Sequence, residues 1–213
     1  MTFPSVVAYG TASAASSVSS RAPGYPAGVV AGQILCTVIT IWDATVTLTG
    51  YSGWTLESTT AHSNSYDTYI LWKVADGTES GTFSFTFSGT AGYAQARMFN
   101  VSGASDVETA GAAVVSTSCD APNLSPSWGA ADTLWYCYNF AQSGGMAAAP
   151  TGYSGRTDMG TSGTQYSQGS YKTANAASEN PAAVSCTNSN WCGVTIAFRP
   201  TTLSSGLFFG SNF

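Results

Sequence analysis

Charge is what this sequence has least of. Asp, Glu, Lys and Arg make up 8% of its 213 residues, roughly a third of the usual share. The six basic residues, Arg21, Lys73, Arg97, Arg156, Lys172 and Arg199, are scattered, and the net charge is −5. No basic stripe can be built from them to displace counterions from a phosphate backbone, so nucleic acid is not an expected partner. An anionic membrane surface is disfavoured for the same reason.

Long hydrophobic runs are also missing. The most apolar stretch, Val29 to Trp42, is broken by Gly32, Gln33, Thr37 and Thr40, which argues against a spanning helix. Met-Thr-Phe-Pro-Ser has neither a basic nor a long apolar signal region. An extracellular location would then require a signal already removed, or another route such as lysis.

Catalytic vocabulary is sparse. There is one histidine, His62, in the polar stretch TTAHSNSY, where it reads as solvent-exposed. No G-x-S-x-G elbow, P-loop, dinucleotide fingerprint or zinc spacing occurs. The carboxylates sit mostly in turns. Asp76 and Glu79 cluster oxygens that a hard cation favours, but their spacing is not that of an EF-hand. We therefore expect no enzyme, no catalytic residue, no metal and no cofactor.

The sequence is rich in hydroxyls, small residues and aromatics: 44% is hydrophobic and 13% aromatic, so it is not a disordered composition. No segment has helical period. Alternation and β-branched clustering predict strands at Ile34 to Trp42, Thr45 to Thr49, Thr68 to Val74, Gly81 to Ser88 and Ala94 to Val101. Further strands are predicted at Ala112 to Thr117, Thr133 to Phe140, Gln165 to Ala174, Ala182 to Thr187 and Gly193 to Phe198. Short strands separated by turn signals predict an all-β fold, a single jelly-roll-like β-sandwich.

TGYSG occurs at Thr49–Gly53 and again at Thr151–Gly155. The flanks match as well: Leu35 aligns with Leu134, and the two lysines, Lys73 and Lys172, take equivalent places. This predicts an internal pseudo-twofold repeat of units at about 27–103 and 128–200 within a sandwich spanning 25–200. A four-stranded unit with one apolar face needs a second to cover it. Gly50, Tyr51, Gly53, Gly152, Tyr153 and Gly155 are then structural turn residues, glycine permitting positive φ.

Residues 1–24 read as a flexible N-terminal arm, almost pure Ser and Ala from Ala12 to Ser20. Residues 201–213, TTLSSGLFFGSNF, form an uncharged tail. Such apolar surface is a liability in water, so Leu203, Leu207, Phe208, Phe209 and Phe213 are the expected intersubunit contact. Five cysteines leave at least one unpaired. Cys186 and Cys192 flank a loop short enough for a hairpin bridge, though spacing alone does not establish a disulfide. Trp54, Trp128 and Trp191 lie near turns and are candidate glycan contacts, aromatic faces being suited to stacking on sugar rings. Asn100-Val101-Ser102 and Asn123-Leu124-Ser125 fit the N-glycosylation pattern.

The motifs PAGV at Pro26–Val29, GWT at Gly53–Thr55 and KVADGTE at Lys73–Glu79 carry a resemblance. The chain resembles a loose group of proteins encoded among the structural genes of tailed phages and in aquatic metagenomes. Gln33 departs from the acid usual in that group, while Asp132 keeps it in the second half. The resemblance implies a virion surface component, such as a capsid decoration or a tail or fibre part. The expected function is a non-enzymatic, self-assembling structural subunit. Its partner is itself, with a major capsid or tail protein as a further partner. An extracellular filament subunit and a carbohydrate-binding module are the alternatives.

Overall fold

The computed structural model describes residues 2–62, 65–142, 145–146, 148–162 and 165–202. These form an all-β fold of two antiparallel sheets, consistent with a β-sandwich. The first half contributes β1 (Ser5–Tyr9), β2 (Ser13–Arg21), β3 (Ile34–Trp42), β4 (Leu48–Gly50), β5 (Thr55–His62), β6 (Tyr66–Val74) and β7 (Phe85–Ser102). The second contributes β8 (Ala104–Cys119), β9 (Ala131–Ala141), β10 (Ser154–Ser162), β11 (Gln165–Ala176) and β12 (Val184–Pro200).

Each sheet is built from one continuous half of the chain. The first runs β1-β7-β3-β6-β5, with β2 and β4 also on β7, and the second runs β8-β12-β9-β11-β10. The two strand orders correspond, with β3, β5, β6 and β7 taking the places of β9, β10, β11 and β12. The sheets also meet in corresponding ways at their edges: β5 packs against β8, and β10 against β2 and β7. At the first of these corners Thr109 Oγ1 donates to Ser58 Oγ at 2.7 Å.

The predicted Ile34–Trp42 strand is β3 residue for residue. It is buried along nearly its whole length because both faces of its sheet are covered. Ile34, Cys36 and Val38 face the other sheet, meeting Leu134, Tyr136, Tyr138 and Phe140 of β9 and Val194, Ile196 and Phe198 of β12. Leu35, Ile39 and Ile41 face outward under Val46, Leu48, Trp54, Phe85 and Phe87. Period-2 geometry turns one apolar run into two cores. The inner core includes Phe99 stacked on Tyr136, centroids 4.5 Å apart. Such pairing adds about 0.5–1.5 kcal/mol beyond area burial.

Several expectations change. The Ser/Ala stretch is not a free arm: its residues form β2, paired to β7 from Ser13↔Ala96 to Arg21↔Phe85. Small side chains fit where β10 packs close. Two predicted strand pairs merge into the single long strands β7 and β12. β5 and β10 carry too few apolar residues to be seen as strands. They occupy sheet edges, where much of the strand is exposed.

Candidate functional site

The most organised polar feature occurs twice. In the first half, Gly53 adopts φ 82°, and the Trp54 amide donates to the Tyr51 carbonyl at 3.0 Å. The turn sets the Trp54 ring beneath Lys73 of β6, whose Nζ lies 5.8 Å from the ring centroid and 6.0 Å from that of Tyr25. Lys73 Nζ also reaches Glu79 Oε1 at 2.8 Å. In the second half, Gly152 adopts φ 82° and the Tyr153 amide donates to the Pro150 carbonyl at 3.0 Å. Lys172 Nζ stands 5.4 Å from the Tyr153 ring centroid and 2.7 Å from Glu179 Oε1.

These are clasps that bind a loop to the outer face of each sheet. The Glu79 side chain is 4% exposed and that of Lys73 21%, so solvent screens the pair only in part. Burial pushes the Glu79 carboxyl up. The bond from Lys73 and the amides of Asp76 and Gly77 outweigh it and hold the carboxyl below its usual range. Burial likewise raises the Tyr153 phenol, whose hydroxyl donates to Glu179. With its oxygens engaged by Lys73 and two amides, Glu79 is not an open ligand. Asp76 is turned onto the Thr78 amide and hydroxyl at 2.8 and 2.6 Å. Among the described residues no group of three or more His, Cys, Asp or Glu side chains could hold a metal ion.

The other expected positions are less concentrated. Trp54 and Trp191 are 7% and 3% exposed, so neither presents a face to a sugar. Trp54 packs edge-on against Phe83 and Phe85, and Trp191 donates to Ser116 Oγ at 2.7 Å. Trp128 is half-buried and donates to Thr133. His62 is not in an exposed loop: it ends β5, is 9% exposed and stacks on Tyr66 with centroids 5.1 Å apart. Among the described residues its Nδ1 has no hydrogen-bond partner.

Cys186 and Cys192 do not form a hairpin bridge. Both lie in β12, and all five cysteines are free and buried. Six residues along one strand span roughly 20 Å, far beyond disulfide reach. Asn100 is fully buried, donating to Gln33 and accepting from the Ala8 amide, so its triplet is not an accessible glycosylation site. The contact expected at Leu203, Leu207, Phe208, Phe209 and Phe213 lies outside the described residues.

Sequence reasoning found Lys73 and Lys172 as equivalent positions but missed their partners Glu79 and Glu179. The signal was there, since each glutamate follows its lysine by six or seven residues. No family model, curated protein or solved structure matches this chain.

Proposed function

We propose that this protein is a non-enzymatic structural subunit that assembles with copies of itself outside the cell. The leading form is a surface component of a phage virion, either a capsid decoration or a tail or fibre part. The observation that carries the reading is the uncharged, apolar Leu203–Phe213 segment on a chain whose charged share is 8%. Apolar segments of this kind need a covering partner in water, and a surface with few charges offers little repulsion to close packing of copies. The engaged state of the clasp carboxylates adds support, because they are tied to loop anchoring. The matching strand orders and paired clasps support reading the two halves as copies of one unit.

An extracellular filament subunit is the neighbouring reading, favoured if the contacts join copies head to tail without closing. The carbohydrate-binding reading retains Trp128 but loses Trp54 and Trp191 as accessible stacking faces. Negative-stain electron microscopy of the full chain at micromolar concentration tests the proposal. Rods, rings or discrete oligomers uphold it. Featureless monomers overturn it, and a tryptophan fluorescence change on a glycan panel would then favour sugar binding.

A further inference from the structure

The geometry points to the Val114–Ser118 edge of β8 as the place where a second copy of this chain lays its Leu203–Phe213 segment. The inference rests on the self-assembly reading above and names its contact. Among the described residues β8 pairs with β12 alone, so no strand is laddered to its opposite edge, where the Ser118 amide and carbonyl bond the Ser116 hydroxyl. β5 lies against the earlier part of that edge: Ser58 meets Thr109, and a Cβ on Gly111 would fall on the Thr60 side chain. Beyond it, Val114 is 46% and Val115 61% exposed, on opposite faces of the strand.

From Thr109 to Cys119 β8 has no charge and no proline, the devices that normally protect an edge from pairing. The opposite edge of the molecule is guarded differently. β1 and β2 are separate short strands, β2 holds Ser17 at φ 53° and slips register between Val18 and Ser20, and Arg21 stands at its end.

Reach limits which part of a chain's own segment can meet the edge. The Thr201 amide donates to the Gly103 carbonyl at 2.8 Å, which places Thr201 at the far end of β8. Gly103 to Val114 is about 36 Å at strand rise. The seven residues from Thr201 to Phe208 span at most roughly 25 Å. Leu207, Phe208 and Phe209 therefore cannot lie beside Val114 and Val115 of their own chain, whereas those of a second copy can. The uncharged segment would add a strand by main-chain bonds, its large side chains covering the two valines. Because donor and acceptor are different surfaces, the contact is head to tail and yields a ring or a filament.

The test uses two full-length variants and sedimentation velocity. An edge variant carries Val114→Lys and Val115→Lys. A segment variant carries Leu207→Ser, Phe208→Ser and Phe209→Ser. The unaltered chain is expected to assemble, each variant alone to be monomeric, and their equimolar mixture to give a species of twice the monomer mass. Amide hydrogen exchange of the unaltered chain is an independent readout: Val114–Ser118 should gain at least tenfold protection between dilute and assembled samples. If the unaltered chain assembles but the mixture gives no dimer, or the edge gains no protection, the edge assignment falls and self-assembly stands. If the unaltered chain stays monomeric, both fall.

Discussion

Thr40 Oγ1 lies 2.8 Å from the Tyr138 hydroxyl, and this buried contact ties the central strand of one sheet to the central strand of the other. Thr40 also meets Thr68 at 3.0 Å, and Gln95 Nε2 donates to the same phenol at 3.1 Å while accepting from Tyr93. A polar network inside an apolar sandwich is stable only when its members are satisfied. Tyr138→Phe should leave Gln95 Nε2 without its acceptor and cost about 1–3 kcal/mol, read from urea unfolding midpoints. A cost below about 0.5 kcal/mol would mean that the network does not lock the sheets.

The Lys73–Glu79 clasp makes a prediction about acid. Its carboxyl is held below the usual range in the folded state, and the unfolded value is about 4.3. The stabilisation is therefore complete above that value and lost as pH falls through the folded one. Glu79→Gln should cost about 1–2 kcal/mol at pH 7, and the difference from the unaltered protein should shrink below about pH 4. Chemical denaturation across pH 3–7 checks both the size and the sign.

Glu57 has the opposite sign. Burial raises its carboxyl, although the Trp72 indole donates to it at 3.1 Å. Its ionised form is disfavoured in the fold, so stability declines as pH rises through the unfolded value toward the folded one. Glu57→Gln keeps an acceptor for Trp72 and removes the charge. Its melting temperature at pH 7 should rise by about 1–2 °C, and the gain should vanish in acid.

The two clasp glycines should respond alike. Gly53 and Gly152 share φ 82°, with open space where a Cβ would stand. Alanine at either should cost about 1–2 kcal/mol from backbone strain alone. Gly155→Ala should cost more, because its Cβ would also fall on the Tyr171 ring. Unfolding free energies of the three variants give the comparison.

All five thiols are buried and should be silent in the native state. Burial pushes Cys137 and Cys192 up to about 12 and raises Cys36 and Cys119 further. The thiolate is the reactive form. An aromatic disulfide reagent at pH 8 should react slowly with folded protein and rapidly with five thiols once it is unfolded. Fewer than five after denaturation would reveal a bridge.

Much of the fold was legible because strands announce themselves by period. Phe85 and Phe87 alternate with hydroxyl residues, and six of the nine residues of β3 are β-branched. Low charge, the pair of lysines and the apolar Leu203–Phe213 segment were equally plain. β2 was not, since Ser and Ala lack the side chains that mark a strand, and only β7 and β10 explain its order.

The repeated TGYSG shows the boundary most clearly. The letters recur 102 positions apart, but the turns with matching φ and hydrogen bond place Gly53 with Gly152 and Trp54 with Tyr153, 99 positions apart. The central strands differ by one residue from the letter alignment. Lys73 pairs with Leu35, and Lys172 with Trp135 rather than Leu134. One residue of slip exchanges the two faces of a strand, and burial settles it: Leu35 and Trp135 lie in outer clusters, while Leu134 lies between the sheets. The sequence by itself determined the all-β strand content, the scarcity of charge and the recurrence of TGYSG, because composition and alternation are local properties. Which face is inner, which glutamate meets which lysine and which edge is left open were decided only by the tertiary structure, because register and burial depend on residues far apart in the chain.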